Sequence, residues 1–248
     1  MQQQADKVVD VQGLTLRTVD GPVYENVTFT LEKGQVGCLF GSGGSGKTGL
    51  LLTLGARMRF KGGKATVFGY DLAKQYRKVR DLSSVTVIRH INDVPENLTV
   101  YDLVAAELAT AGKRSNKTAV QEYLEKWDFS ACERVRYRNL EANDRSYFGI
   151  LLACVSDPEL LLVDDVQTGI TQHRSIEWVG LFKRLAQERD MAVLFCCNEF
   201  DIANKADGVL IMSEKAALQR QAVLQDQGAQ ADACLLGVAN NVNVEEVA

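Results

Sequence analysis

Residues 41–48 read GSGGSGKT, with Gly41, Gly46, Lys47 and Thr48 at the spacing G-x-x-x-x-G-K-[ST] of a phosphate-binding loop. A triphosphate carries several negative charges that nearby backbone N–H groups must meet, and only small residues let the backbone come that close. Gly41, Gly43, Gly44 and Gly46 fill four of the eight positions, with Ser42 and Ser45 between them. Lys47 is spaced to reach the β and γ phosphates as a point charge, and the Thr48 hydroxyl to complete the shell of a bridging Mg²⁺ ion. The flanks supply the required setting. Residues 35–40 (QVGCLF) form the short apolar run of a buried strand, and residues 48–58 (TGLLLTLGARM) read as a helix opened at Lys47.

The chain has 248 residues, 46% of them hydrophobic, which is enough for one large domain or a domain with an inserted lobe. Its net charge of −4 offers no basic field overall, so DNA and RNA are not expected as direct ligands. The start, MQQQADK, has no apolar leader, and no run approaches the ~18 consecutive apolar residues of a membrane span. We therefore expect a cytoplasmic protein. The six cysteines (Cys38, Cys132, Cys154, Cys196, Cys197 and Cys234) make no C-x-x-C pair, and several lie in apolar runs, so free thiols are expected and no cysteine metal site.

Working outward from the loop, residues 7–16 and 23–31 alternate apolar and polar side chains around a turn at Asp20, Gly21 and Pro22, the pattern of two antiparallel strands. Strands are also predicted over 64–68 and 85–88, separated by a charged helical stretch. From about 91 to 158 the pattern is helical: Thr99 as N-cap of 100–111, a second helix near 118–127 and a third from about Arg145. Core strands resume at 160–163, 192–196 and 208–212, with a helix over 175–189. Alternating strands and helices imply an α/β fold with a mostly parallel sheet. Residues 1–213 then form one nucleotide-binding domain with an antiparallel hairpin subdomain and an inserted helical lobe. Residues 214–248 read as a loosely structured tail with one helix around 216–225.

Residues 160–165, LLLVDD, are an apolar strand ending in two carboxylates, and Asp164 is the candidate metal acid beside the loop. Such a run is common by itself and gains meaning only when paired with GSGGSGKT. The segments VYENVTFTLEKGQVGCLFGSGGSGKT, KATVFGYDL and DPELLLVDD together resemble the ATP-binding cassette (ABC) family of transporter ATPase subunits, over roughly residues 7–213. The resemblance implies a P-loop NTPase core binding ATP and Mg²⁺, the metal held by Thr48 and Asp164. It also implies head-to-tail pairing of two subunits around two ATP molecules, and an integral membrane transporter subunit as partner. The place expected for such a chain is the cytoplasmic face of a membrane.

The chain departs from that family's pattern where hydrolysis is carried out. The LSGGQ signature aligns with LEAND, residues 140–144, so Glu141 replaces the serine that would touch the γ-phosphate of the facing subunit. A carboxylate ~4 Å from a phosphate charge costs about 4 kcal/mol at an effective dielectric near 20. Asn143 or Asp144 is instead expected to cap the helix beginning near Arg145. Asp165 stands at the position of the glutamate that activates water, one methylene shorter. Its carboxylate thus falls short by roughly 1 Å, a displacement that can cost about 10²-fold. Asn198 aligns with the switch histidine, His90 with the Q-loop glutamine and Thr171 with the aspartate after the metal strand. The region around residues 17–20 offers no aromatic to stack on adenine, and Tyr24 reads as core; His173 reads as a solvated surface residue. Two functions remain open: an ATP-binding transport subunit that hydrolyses slowly through Asp165, Asn198 and His90, or a catalytically silent ATP-binding module or inactive half of an unequal pair. A soluble cassette acting on DNA or ribosomes is disfavoured by the acidic balance and the single cassette.

Overall fold

The structure is a computed structural model that describes residues 7–19, 21–167 and 169–212, together with the backbone of 234–238. The alternating N-terminal segments form a hairpin of β1 (Lys7–Thr18) and β2 (Gly21–Glu32), in which Val9 faces Leu31 and Val11 faces Phe29. β1 also pairs antiparallel with β4 (Gly62–Val67), and β4 with β5 (Tyr70–Asp71), closing a four-stranded sheet in the order β2-β1-β4-β5. Among the described residues the second sheet has six strands, all parallel: β3 (Val36–Phe40), β6 (Ser83–Val85), β7 (Leu160–Val163), β8 (Ala192–Cys197), β9 (Gly208–Ile211) and β10 (Cys234–Val238), in the order β10-β9-β3-β8-β7-β6.

The central strands β3, β7 and β8 are buried at every position, because side chains alternate between two apolar layers. Cys38, Phe40, Leu161, Val163, Phe195 and Cys197 face one layer, shared with α3 (Val100–Thr110), α4 (Lys117–Lys126), α5 (Ala142–Ala153), α6 (Gln172–Arg189) and α7 (Phe200–Ala203). Leu39, Leu160, Leu162, Leu194 and Cys196 face the other, shared with α1 (Lys47–Leu54), α2 (Tyr76–Leu82) and the hairpin sheet. Tyr24 of β2 is 2% exposed, and its hydroxyl donates to Thr53 Oγ1 of α1 at 2.8 Å. It is a core residue that ties the hairpin to the loop helix.

Several boundaries differ from the sequence reading. α1 stops at Leu54 rather than 58, because Ala56 turns left-handed (φ 56°) and the amides of Ala56 and Arg57 bond back to Thr53 O and Leu52 O, the two closing bonds of a Schellman cap. β6 covers 83–85, not 85–88. α5 begins at Ala142 with Glu141 at the N-cap position and no side-chain cap bond, so Asn143 and Asp144 lie inside the first turn instead of capping it. The expected helix over 175–189 starts earlier, because the Thr171 hydroxyl caps it by accepting from the Arg174 amide. Thr99 caps α3 as expected, in a reciprocal box with Asp102. β10 lies within the stretch expected to be a loose tail and pairs parallel with β9. The helix expected around 216–225, and Asp20 of the hairpin turn, lie outside the described residues.

Phe195 is fully buried in β8 against Phe182, ring centroids 5.6 Å apart. Phe195→Ala is expected to cost about 3–5 kcal/mol in urea unfolding. Burial pushes Tyr24 up to about 12 from an ordinary 10.0, and the bond to Thr53 only partly opposes this. Its stabilising contribution is therefore complete below pH 10.0 and lost as pH rises towards about 12. Denaturant midpoints measured across that window should fall more steeply for the native chain than for Tyr24→Phe.

Candidate functional site

The phosphate loop leaves the end of β3 and enters α1. It is anchored by the Gly41 amide, which donates to Cys197 O of the neighbouring β8 at 3.2 Å. Gly46 takes the N-cap position in a left-handed conformation (φ 86°), and a Cβ there would collide with the Val23 carbonyl of the hairpin. Gly44 is also left-handed (φ 79°) and faces open space. The turn thus needs glycine on one side for its backbone and on the other for its neighbour.

The donors converge as an anion site requires. Among the described residues, the N–H groups of Gly43, Gly44, Gly46, Lys47 and Thr48 donate to no protein acceptor. The Ser45 hydroxyl is buried without a hydrogen-bond partner. Lys47 Nζ folds over the loop, donating to Gly41 O at 2.7 Å and Ser42 O at 2.8 Å, so its charge stands above the same amides. Ser42 lines the loop through that carbonyl. Free amides, a helix start and an ammonium group fit a polyphosphate and little else.

Beside the loop, Thr48 Oγ1 donates to Asp164 Oδ2 at 2.9 Å, joining residues 116 positions apart in the chain. The Asp164 amide donates to Thr86 Oγ1 at 3.3 Å, which holds the end of β7 against the loop after β6. Burial pushes the Asp164 carboxyl up, against hydrogen bonds from Thr48 and Cys196 that favour its charged form. Two oxygen donors on a partly desolvated acid suit a hard cation such as Mg²⁺, which would clamp and neutralise phosphate oxygens here.

Asp165 follows in a left-handed conformation (φ 46°), is exposed, and accepts from the Gln167 amide at 3.3 Å. Asn198, at the end of β8, donates its own amide to Gln167 Oε1 at 2.7 Å. Gln167 therefore bridges the two candidate catalytic residues, while its Nε2 is a buried donor with no acceptor. Sequence reading passed over Gln167, Thr86 and Cys196. They carry no motif, and only strand pairing brings them to the site. His90 is exposed on the loop after β6 (φ 66°), its amide bonded to Asp93. Among the described residues no hydrogen bond or ion pair joins His90 to the phosphate loop, Asp164 or Asp165. Thr171 is spent as a helix cap, and His173, 86% exposed, faces Glu177.

The LEAND segment forms the start of α5. Leu140 is buried, and Arg145 clamps the segment by donating to Leu140 O and Arg138 O while its guanidinium lies over the Tyr137 ring at 5.4 Å. Ala142 packs against Gly169 in the segment after the paired aspartates. Glu141 is exposed at the helix start.

A sequence model of the ABC transporter family matches residues 24–168. Among curated proteins, the probable metal transport system ATP-binding protein of Thermotoga maritima is 24% identical over 199 residues, 80% of this chain and 78% of its own length. The methionine import ATP-binding protein MetN of Chlamydia pneumoniae is 25% identical over 87% of this chain and 66% of its own. An ABC transporter ATP-binding protein of Methanosarcina mazei is 25% identical over 86% of this chain, which spans 43% of that protein's length. Of solved structures, cbiO1 from Clostridium perfringens, part of the ABC transporter complex cbiONQ, superposes with a TM-score of 0.73 at 16% identity, covering 89% of this chain and 94% of its own. A nucleotide-free ATP-binding cassette superposes at 0.71 and 16% identity, over 83% and 87%. At such identities the structural likeness speaks for the fold.

Removing the Lys47 ammonium takes away a charge-assisted contact of about 3 kcal/mol, roughly 10²-fold in affinity. Calorimetric titration of the Lys47→Ala chain with Mg-ATP should show that loss, and unchanged affinity would overturn the assignment of the loop.

Proposed function

Because the chain belongs to the ABC transporter family, we propose that it is the ATP-binding subunit of a membrane transport complex, holding Mg-ATP on residues 41–48 and hydrolysing it slowly. The observation that carries this reading is the Thr48–Asp164 contact, which joins the phosphate loop to the acidic end of β7 in the arrangement a metal-bound triphosphate needs. Thr48 and Asp164 would hold the ion. Lys47 and the loop amides would neutralise the phosphates, and Asp165 would orient the attacking water.

Three features argue for slow turnover. Asp165 reaches one methylene less than a glutamate, and Asn198 has an amide where a proton-carrying ring would stabilise the transition state. Glu141 would face the γ-phosphate of a head-to-tail partner, and like charge there opposes closure. In a pair of identical chains both sites meet Glu141, whereas beside a cassette with an intact signature only one does. We therefore favour an unequal pair. No helix of the described residues is long and apolar enough to cross a membrane, so a membrane role would run through an integral partner, with this chain peripheral at its cytoplasmic face.

The short reach of Asp165 and the amide of Asn198 favour a second reading: a module that binds ATP and signals by occupancy. Steady-state turnover and Mg-ATP affinity of the purified chain and of Asp165→Asn separate the two. Slow turnover that falls about 10²-fold or more in Asp165→Asn, with affinity retained, is the expected result. Tight binding with no turnover sensitive to Asp165 would instead establish the silent module.

A further inference from the structure

The protein carries 32 acidic and 28 basic residues, yet residues 57–80 hold eight Lys or Arg against a single carboxylate, Asp71. Asp71 is taken by Lys74. Among the described residues, Arg57, Arg59, Lys61, Arg77 and Arg80 form no salt bridge. Like charges gathered on an otherwise acidic surface repel one another, and a fold keeps them together at a cost unless something anionic offsets it. The Arg57 guanidinium feels that crowding directly: burial and the charge of Arg80 both push it down.

Three of these cations, Arg57, Arg59 and Lys61, line a cavity of about 370 Å³. Its walls are the segment after α1, residues 56–61, and the residues leading into α2, Leu72, Ala73 and Tyr76. Arg57 donates to Gly55 O at 2.6 Å and to Ser83 O at 3.2 Å, which fixes its fork and neutralises the carbonyl end of α1 that would otherwise repel an anion. Arg59 lies over the Tyr76 ring at 5.4 Å, with Arg77 on the same ring at 6.0 Å. The remaining wall is apolar: Phe60, the largely buried Leu72 and the exposed Met58. The cavity shares no residue with the phosphate loop. It sits at the opposite end of α1, whose eight residues span about 12 Å.

The volume lies within the range of small-molecule sites, and its chemistry is split between fixed cations and an apolar surface. A lone carboxylate would leave both the volume and several donors unused. A phosphate presents several oxygens to the Arg59 guanidinium and the Lys61 ammonium at once, with Arg57 as a fixed charge beside them, and an attached apolar or aromatic body would cover Phe60, Leu72 and Tyr76. We propose that this cavity is a second ligand site, separate from the triphosphate loop, for an organophosphate supplied either as a soluble phosphate ester or as the headgroup of an anionic phospholipid. Because α1 runs from the phosphate loop to this cavity, occupancy of the two sites is read by one helix.

The test uses the full chain carrying Lys47→Ala, so that the phosphate loop does not compete, with and without the added pair Arg59→Ser and Lys61→Ser. Both residues are exposed, and circular dichroism melting checks that the fold is kept. The probes are phenyl phosphate and inorganic phosphate in calorimetry, and phosphatidylcholine vesicles with and without phosphatidylglycerol in co-sedimentation. Phenyl phosphate should bind more tightly than inorganic phosphate, and the added pair should weaken it by about tenfold or more. Binding of phenyl phosphate without vesicle capture assigns a soluble ester. Capture by phosphatidylglycerol vesicles alone, lost in the Arg59 and Lys61 variant, assigns a lipid headgroup. No binding of any probe, binding unaffected by the two substitutions, or equal affinity for the two phosphates would overturn the proposal.

Discussion

The position of β8 between β3 and β7 is the constraint on which the rest depends. Parallel register sets Phe40 opposite Cys197 and Val163 opposite Phe195, so three strands end side by side with the same direction. The core of the nucleotide site leaves those ends: the phosphate loop after Phe40, the paired aspartates after Val163 and Asn198 after Cys197. Helix α1 then starts where its free amides point at the crevice between strand ends, the usual place for a ligand in an open α/β sheet. The bond from Gly41 to Cys197 O locks the loop to this edge, and a one-residue slip of β8 would break it.

That edge is held by burial from both sides. Cys38, Cys196 and Cys197 lie fully within it, with the Sγ atoms of Cys38 and Cys197 3.2 Å apart and the Cys38 and Cys196 thiols pushed well up by desolvation. All three are free thiols, as expected; Cys38 and Cys197 pack as small apolar residues, while Cys196 also hydrogen-bonds Asp164. A stiff, apolar support beneath a polar loop is what lets unpartnered amides remain aimed outward rather than collapse onto each other.

The two halves of the site are unequally built. The phosphate end is dense with donors and tightly cornered by the hairpin, where Val23 and Tyr24 press on Gly46 and α1. The candidate catalytic end is exposed, with Gln167 donating its backbone amide to Asp165 and accepting from the Asn198 amide through its side-chain oxygen. The phosphate end is thus held by several contacts at once, whereas Asp165 reaches one methylene less than a glutamate and Asn198 carries an amide in place of a titratable ring. This asymmetry is the physical basis on which slow turnover is proposed.

How much of this was legible beforehand follows from the range of the interactions involved. The phosphate loop, the strands read at 35–40, 160–163 and 192–196, the capping of α3 by Thr99 and the core role of Tyr24 were readable because local spacing and apolar periodicity encode them. Family likeness was readable for the same reason. Helix ends were less so: Ala56 stops α1 through a left-handed turn that few residue preferences announce, and Glu141 heads α5 without a cap bond. Gln167, Thr86 and Cys196 were invisible, because their roles arise from pairing between β6, β7 and β8 rather than from any motif. The cation cavity is another such case, since residues 56–61 and 72–76 meet only when the end of α1 folds back against the segment before α2. By itself the sequence determined which groups this protein possesses and how each short stretch is shaped. Tertiary structure alone decided which of those groups stand within a hydrogen bond of one another, because contacts across a hundred residues are set by sheet order and register.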